Sequence, residues 1–248
     1  MVTKARLKHL QSMKLKKYRQ NYAEFVIEGD KLTTEALLEK ADMLLLAATK
    51  KWLADNKIKL PKNIPVEEVS EKELEKISSL KTPPPVVALM KAPVNSIHDI
   101  QLSGRWTLVL DGINDPGNLG TIIRSADWFG FKTIVCGKDC VELYNPKVVQ
   151  STMGSIFRIG VIYDDIGSFL RKASPKKYAA VLNGIEMTKI KPGKEGILVI
   201  GSESHGISKE IIELCDEKIS IRSFGKAESL NAAVAASILM NYIAISMR

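Results

Sequence analysis

Leu108 to Phe131, LVLDGINDPGNLGTIIRSADWFGF, is the stretch that most narrows what this chain can fold into. Trp106 to Leu110 is an apolar run of strand length, and a polar, turn-forming segment follows it. Leu119, Ile122, Ile123, Ala126 and Phe129 then recur at the spacing of a helix face turned to a core, and Gly130 stands where such a helix closes. Lys132 to Cys136 supplies the next strand. Pro116-Gly117 reads as a turn with a fixed φ followed by a positive one, and Asn118 as the helix cap. Strand, loop, helix and strand in such close succession form the unit of a parallel sheet, whose ligands bind outside the carboxyl ends of the strands. Asn118 and Arg124, the latter off the apolar stripe, therefore either face a ligand or serve only as cap and solvated charge.

The same alternation runs through the rest of the chain. Strands are expected at Glu24 to Glu28, Met43 to Ala48, Val66 to Val69 and Val86 to Met90, with a helix at Lys31 to Lys40 and another opened by the capping-box pair Ser70 and Glu73. These make a small α/β unit with no catalytic pattern. Periodicity lapses between Lys91 and Gly104, where His98 reads as a surface residue, so two domains are expected, 1–98 and 99–248. In the second, Asn145 and Pro146 open a helix running to Phe157, followed by strands at Arg158 to Ile162, Tyr178 to Leu182 and Ile197 to Ile200 and a helix at Ile166 to Lys172. That pattern predicts a mostly parallel sheet covered on both faces.

Charge narrows the partner. The formal charge is +8, and the segment up to Tyr22 holds Lys4, Arg6, Lys8, Lys14, Lys16, Lys17 and Arg19 before the first acid, Glu24. A basic, loosely helical terminus suits phosphate contacts, or else serves as a solubilising end. Nucleic acid is favoured over a membrane surface, and the longest apolar run, Ala232 to Met247, is too short to span a bilayer. Three cysteines, Cys136, Cys140 and Cys215, point to reduced thiols in a cytoplasm, and no metal-ligand cluster is apparent.

Two later segments repeat the strand-to-loop pattern. Ile197 to Ser208, ILVIGSESHGIS, nearly matches a hydrolase nucleophile elbow around Ser204, but its only later histidine is the adjacent His205, so that reading lacks its base. The other reading gives Gly201 and Gly206 to close backbone approach and Glu203 to the mouth of a site. In Ile219 to Ala236, ISIRSFGKAESLNAAVAA, Ser229 is expected to cap a long helix whose alanines permit either core packing or a subunit contact. Neither a Walker loop nor a GxGxxG fingerprint follows a strand.

Asn118 with Arg124 (N-x5-R), Gly201, Glu203 and Gly206 (G-x-E-x-x-G) and Ser229-Leu230-Asn231 (S-L-N), in this order, resemble the SpoU (TrmH) family of RNA ribose 2′-O-methyltransferases within the SPOUT class. KKYRQNYAEFVIEGDKL is similar to the characteristic stretch of that family's N-terminal substrate-binding domain, an α/β fold like certain ribosomal RNA-binding proteins. The resemblance implies a trefoil-knotted C-terminal domain, a homodimer formed through it, and S-adenosylmethionine as methyl donor. It implies catalytic roles for Arg124, Asn118, Glu203, Ser229 and Asn231, and a cofactor site at Ile200, Gly201, Gly206, Ile221, Ser229 and Leu230. Lys14, Lys16, Lys17 and Arg19 are expected to contact RNA, ribosomal in preference to transfer RNA. Transfer RNA 2′-O-methylation and a non-catalytic RNA-binding module on the same fold are the alternatives. Arg222 and Ser204 depart from the residues usual in the family at those positions.

Overall fold

The computed structural model describes residues 2–55, 60–93, 96–97 and 100–247. The expected division between residues 98 and 99, and His98 itself, lie outside the described residues. The chain forms two compact units, Met1–Val94 with Tyr144–Phe157, and Asn95–Leu143 with Arg158–Arg248.

In the first unit two helices, α1 (Lys4–Ser12) and α2 (Lys16–Tyr22), lead into β1 (Glu24–Glu28). There follow α3 (Asp30–Leu38), β2 (Met43–Ala48), α4 (Lys50–Asp55), β3 (Val66–Glu68), α5 (Glu71–Ile77) and β4 (Val86–Lys91). The strands form one sheet in the order β1-β4-β2-β3, with β4 antiparallel to both neighbours and β2 parallel to β3. Leu10, Met13, Leu45, Leu74, Ile77, Val87 and Leu89 pack into a common core. Ser70 and Glu73 form the expected capping box, and the amide and hydroxyl of Ser70 hold the Glu73 carboxyl below its usual range.

One segment of the expected second domain belongs to this first unit. Helix α7 (Pro146–Thr152), capped by the Asn145 side chain on the Lys147 amide at 2.9 Å, is grouped with it, as is a short 3-10 turn over Ser155–Phe157. Tyr144 stacks on Phe25 of β1 with ring centroids 4.4 Å apart. The segment therefore buries its apolar side against β1, which a linear division of the chain cannot express.

The second unit is built on β5 (Trp106–Asp111), β6 (Thr133–Cys136), β7 (Gly160–Tyr163), β8 (Lys177–Glu186), β9 (Gly196–Gly201) and β10 (Glu217–Ser220). Its strand order is β10-β8-β9-β5-β6-β7 and every described pairing is parallel. Helices α6 (Pro116–Trp128), α8 (Ile166–Lys172), α9 (Lys209–Glu213) and α10 (Ala232–Ser246) complete it. The central strands carry apolar side chains on both faces, as a sheet covered on both sides requires: Leu108, Val109, Leu110, Ile197, Leu198 and Val199 are all fully buried. From β5 the chain builds outward to β6 and β7, then returns to build on the other flank of β5, so the switch point lies between β5 and β9.

Strand β8 is longer than its apolar run predicts, because its pairing with β10 is interrupted. Tyr178 and Ala179 pair with Glu217 and Lys218, and the ladder resumes only at Ile185 and Glu186 opposite Ile219 and Ser220. Gly184 stands where the strands rejoin: a Cβ there would lie 2.6 Å from the Ile219 carbonyl carbon, so a side chain is excluded.

Candidate active site

Asp111 at the end of β5 is in register with Gly201 at the end of β9, so the loops leaving these two strands emerge side by side. The pairing is reinforced by the Asp111 carboxylate, whose Oδ2 accepts the Ser208 amide at 2.7 Å. Asp111 was not singled out in the sequence, although a carboxylate at the end of a central strand is a signal that could have found it.

The loop after β9 closes on itself. Ser202 and Gly206 exchange backbone hydrogen bonds of 3.2 and 2.9 Å, with Gly206 at φ +66°. Gly201 faces the returning chain so closely that a Cβ would lie within 2.2 Å of the Ile207 nitrogen. This tight turn presents Glu203, Ser204 and His205 outward, all exposed, and it accounts for both glycines without any nucleophile elbow.

The helix starts differ from the sequence reading in two places. Asp115, not Asn118, is the N-cap of α6: its Oδ1 accepts the Asn118 amide at 2.9 Å, and Pro116 and Gly117 are the first helical residues rather than a turn with positive φ. Asn231, not Ser229, caps α10, its Oδ1 accepting from Ala233 and Val234 at 3.0 and 3.3 Å. An Asp before a Pro is the stronger helix start, because Pro lacks the amide that a first-turn position leaves unsatisfied. Relieved of capping, the Asn118 side chain is free for other partners.

Those partners come from the other two motifs. Asn118 Nδ2 donates to Glu203 Oε1 at 2.5 Å, and Asn231 Nδ2 lies 2.8 Å from the same oxygen and 3.0 Å from Asn118 Oδ1. The Ala232 amide, at the first turn of α10, adds a bond of 3.3 Å to Glu203 Oε1. One carboxylate oxygen on the loop after β9 thus gathers donors from the segments after β5 and β10, and it sits at a helix N-terminus, where negative charge is favoured. Helices α6 and α10 also meet through the Ser125 and Ser237 hydroxyls, 2.7 Å apart.

Beside this cluster lies a cavity of about 840 Å³. Its walls are largely apolar, including Leu182, Ile200, Ile207, Ile219 and Leu239, and its polar margin includes Glu203, Ser223 and Ser229. Ile200, Gly201, Gly206, Ile221, Ser229 and Leu230 all line it. Ligand pockets of this kind pair apolar walls with a few placed polar groups. An apolar cavity of that size with exposed loop backbone and the carboxylates of Glu203 and Glu228 in its lining suits a ligand that combines a flat base, a cationic centre and an amino-acid end, so the residues present fit S-adenosylmethionine.

Arg124 projects from α6 and is exposed. Lys14, Lys16 and Lys17 are exposed in the first unit, but Arg19 is not on that surface. Only 5% of Arg19 is accessible, and its Nη1 donates to the Met13 carbonyl at 2.7 Å, which ties the turn between α1 and α2. Its basic neighbours in the sequence concealed a structural role.

The chain belongs to the SpoU rRNA methylase family, whose model matches residues 105–241, and residues 4–88 match a second model, the MRM3-like substrate binding domain. The particular relatives span both domains. The 23S rRNA (guanosine(2553)-2′-O)-methyltransferase RlmP of Bacillus subtilis is 30% identical over 246 residues, covering 96% of this chain and 95% of that protein. Among solved structures, an AdoMet-bound rRNA methyltransferase from Sinorhizobium meliloti superposes with a TM-score of 0.86 at 28% identity, over 98% of this chain and 95% of the other. A TrmH-family protein of Porphyromonas gingivalis gives a TM-score of 0.88 at 32% identity, over 98% of each chain. The α/β fold is accordingly that of the SpoU/TrmH methyltransferases, with an N-terminal substrate-binding domain and a C-terminal SpoU domain.

Proposed function

We propose that this chain transfers a methyl group from S-adenosylmethionine to a ribose 2′-hydroxyl of ribosomal RNA in the cytoplasm. The observation that carries the reading is the junction of Asn118, Glu203 and Asn231: three motifs far apart in sequence meet at one carboxylate oxygen, beside a cavity that fits the methyl donor. Relatives that span both domains are named for ribosomal RNA, which favours that substrate over transfer RNA.

Held by Ile200, Gly201, Gly206, Ile221, Ser229 and Leu230, the cofactor supplies an electrophilic methyl group. The chain must then align the ribose oxygen and stabilise the charge that develops as its proton leaves. Arg124 is assigned to that charge. A guanidinium remains protonated at neutral pH, so it acts as an electrostatic partner and not as a base, and the proton passes to an RNA phosphate or to water. Glu203 is a positioning residue: its Oε1 already accepts from Asn118, Asn231 and Ala232, and that engagement fixes the three loops relative to one another. Ser229, on the cavity margin, is assigned to holding substrate or cofactor.

The same reading includes a deep trefoil knot in the second domain and a homodimer formed through it. Support for a subunit contact comes from large apolar side chains left in solvent on α6 and α10, with Trp128 84% and Val234 46% exposed.

The test is transfer of labelled methyl to protein-free RNA from cells lacking this chain, followed by alkaline hydrolysis. Label in alkali-resistant dinucleotides from ribosomal RNA is the expected result. Label on a base would overturn the reaction assigned here, and no label, even with assembling ribosomal particles, would leave a non-catalytic RNA-binding module.

A further inference from the structure

Helices α1 and α2 present a surface that methyl transfer itself does not use. From Met1 to Ala23 the chain has no acidic residue, and Lys14, Lys16 and Lys17 stand exposed. Two aromatic rings stand among them. Tyr18 is 37% and Tyr22 52% exposed, and one helical turn apart their rings lie nearly parallel, at 13° with centroids separated by 6.4 Å.

The rings are held rather than loose. His9 meets the Tyr22 ring edge-on at 4.7 Å, and its Nε2 lies 2.6 Å from Glu24 Oε2. Ala23, in the left-handed region at φ 52°, ends α2 directly after Tyr22. The buried Arg19 fixes the preceding turn through the Met13 carbonyl.

We propose that Tyr18 and Tyr22 form a stacking platform for unpaired RNA bases, with Lys14, Lys16 and Lys17 taking the adjoining phosphates. The inference rests on the reading that the substrate is RNA, and it names the part of RNA that this domain grips. Every base offers a π face, so exposed aromatic rings beside cations bind single strands without reading sequence. RNA presents such faces in loops and bulges, not in paired helices. A membrane surface also accepts lysines and tyrosines, but it requires a continuous apolar face. Here Leu15, Tyr18 and Tyr22 make only a short exposed strip on a helix of seven residues, flanked by Lys16, Lys17, Gln20 and Asn21, too small a face to bury in a bilayer interface, which favours nucleic acid.

The full-length protein is titrated with a single-stranded RNA oligonucleotide carrying 2-aminopurine, whose emission reports stacking, and with the same sequence as a perfect duplex. The double variant Tyr18→Leu, Tyr22→Leu should bind the single strand roughly tenfold more weakly and lose the emission change, with duplex affinity unchanged. Tyr18→Phe with Tyr22→Phe keeps the rings and should behave as the parent, which separates stacking from loss of fold. Parent-like single-strand binding by the leucine variant would overturn the platform. So would an equal loss on strand and duplex, or a loss confined to phosphatidylserine vesicles, which would assign the face to a membrane. If the parent protein shows ring-dependent stacking yet transfers no methyl group to RNA, the catalytic reading fails and the platform stands. If the parent binds neither oligonucleotide, the platform fails.

Discussion

In the second domain a single oxygen of Glu203 takes donors from Asn118, Asn231 and Ala232, whereas in the first domain the charges of Lys14, Lys16 and Lys17 stand in solvent. The first arrangement holds three loops in one geometry before any ligand arrives. The second leaves long side chains free to follow an irregular phosphate backbone. Chemistry that must align an oxygen, a methyl group and a leaving sulfur needs the former, and capture of a large, variable polyanion needs the latter. The two regions therefore differ in rigidity for reasons set by their ligands.

The largest effect should follow from breaking the rigid partner. Gly201→Ala places a Cβ within 2.2 Å of the Ile207 nitrogen, and the turn carrying Glu203 must open. Calorimetry should find cofactor binding and methyl transfer lost together, while RNA affinity is retained. Arg124→Ala leaves the loops intact, and transfer should fall by about 10²–10³ with cofactor binding unchanged, as on removal of one preorganised charge partner; equal loss of both would make Arg124 structural. For Glu203→Gln a smaller loss is expected, about fivefold to tenfold in transfer. The amide keeps one acceptor but gives up the charge-assisted part of bonds that solvent already screens. Parent-like activity in Glu203→Ala would show that the junction is dispensable.

The mobile partner is sharpened by contrasting its lysines with its arginine. Replacing Lys14, Lys16 and Lys17 together by Gln should lower the salt slope of single-strand RNA binding by about two, with folding stability unchanged. Arg19→Ala should do the reverse. Its salt slope should match the parent protein, and urea denaturation should find a loss of about 1–3 kcal/mol, because the Met13 carbonyl loses a buried charged donor. A matching fall in slope would return Arg19 to the RNA-contacting surface.

Much of the fold was legible because apolar spacing is a local signal. The helix at Ile166–Lys172 and the strands at Glu24–Glu28 and Met43–Ala48 fall where periodicity places them. Helix starts were less legible. Asp115 before Pro116 is the stronger start, and reading Asn118 as the cap passes over it, whereas Ser229 and Asn231 are comparable capping candidates in one dimension, and only the bonds from the Ala233 and Val234 amides to Asn231 decide between them. Helix α4 went unnoticed: in Lys50–Asp55 only Trp52 is buried, too little for an apolar stripe. The Tyr144–Phe157 segment misled for a different reason, since long-range burial against β1 leaves no trace in local pattern. The candidate site was readable as three motifs. Their convergence on one oxygen was not, because it depends on β5 and β9 being neighbours in space.

The interrupted ladder between β8 and β10 gives the cavity a kind of expansion joint. Ala180 to Asn183 fall between the pairings at Ala179 and at Ile185, and all of them line the cavity. The wall is thus a long bulge of β8 anchored at both ends, with Gly184 pressed against β10 as the far anchor. Changes in the length or bulk of that span resize the cavity while both anchors keep their register. The sheet can stay constant while the room beside it is refitted.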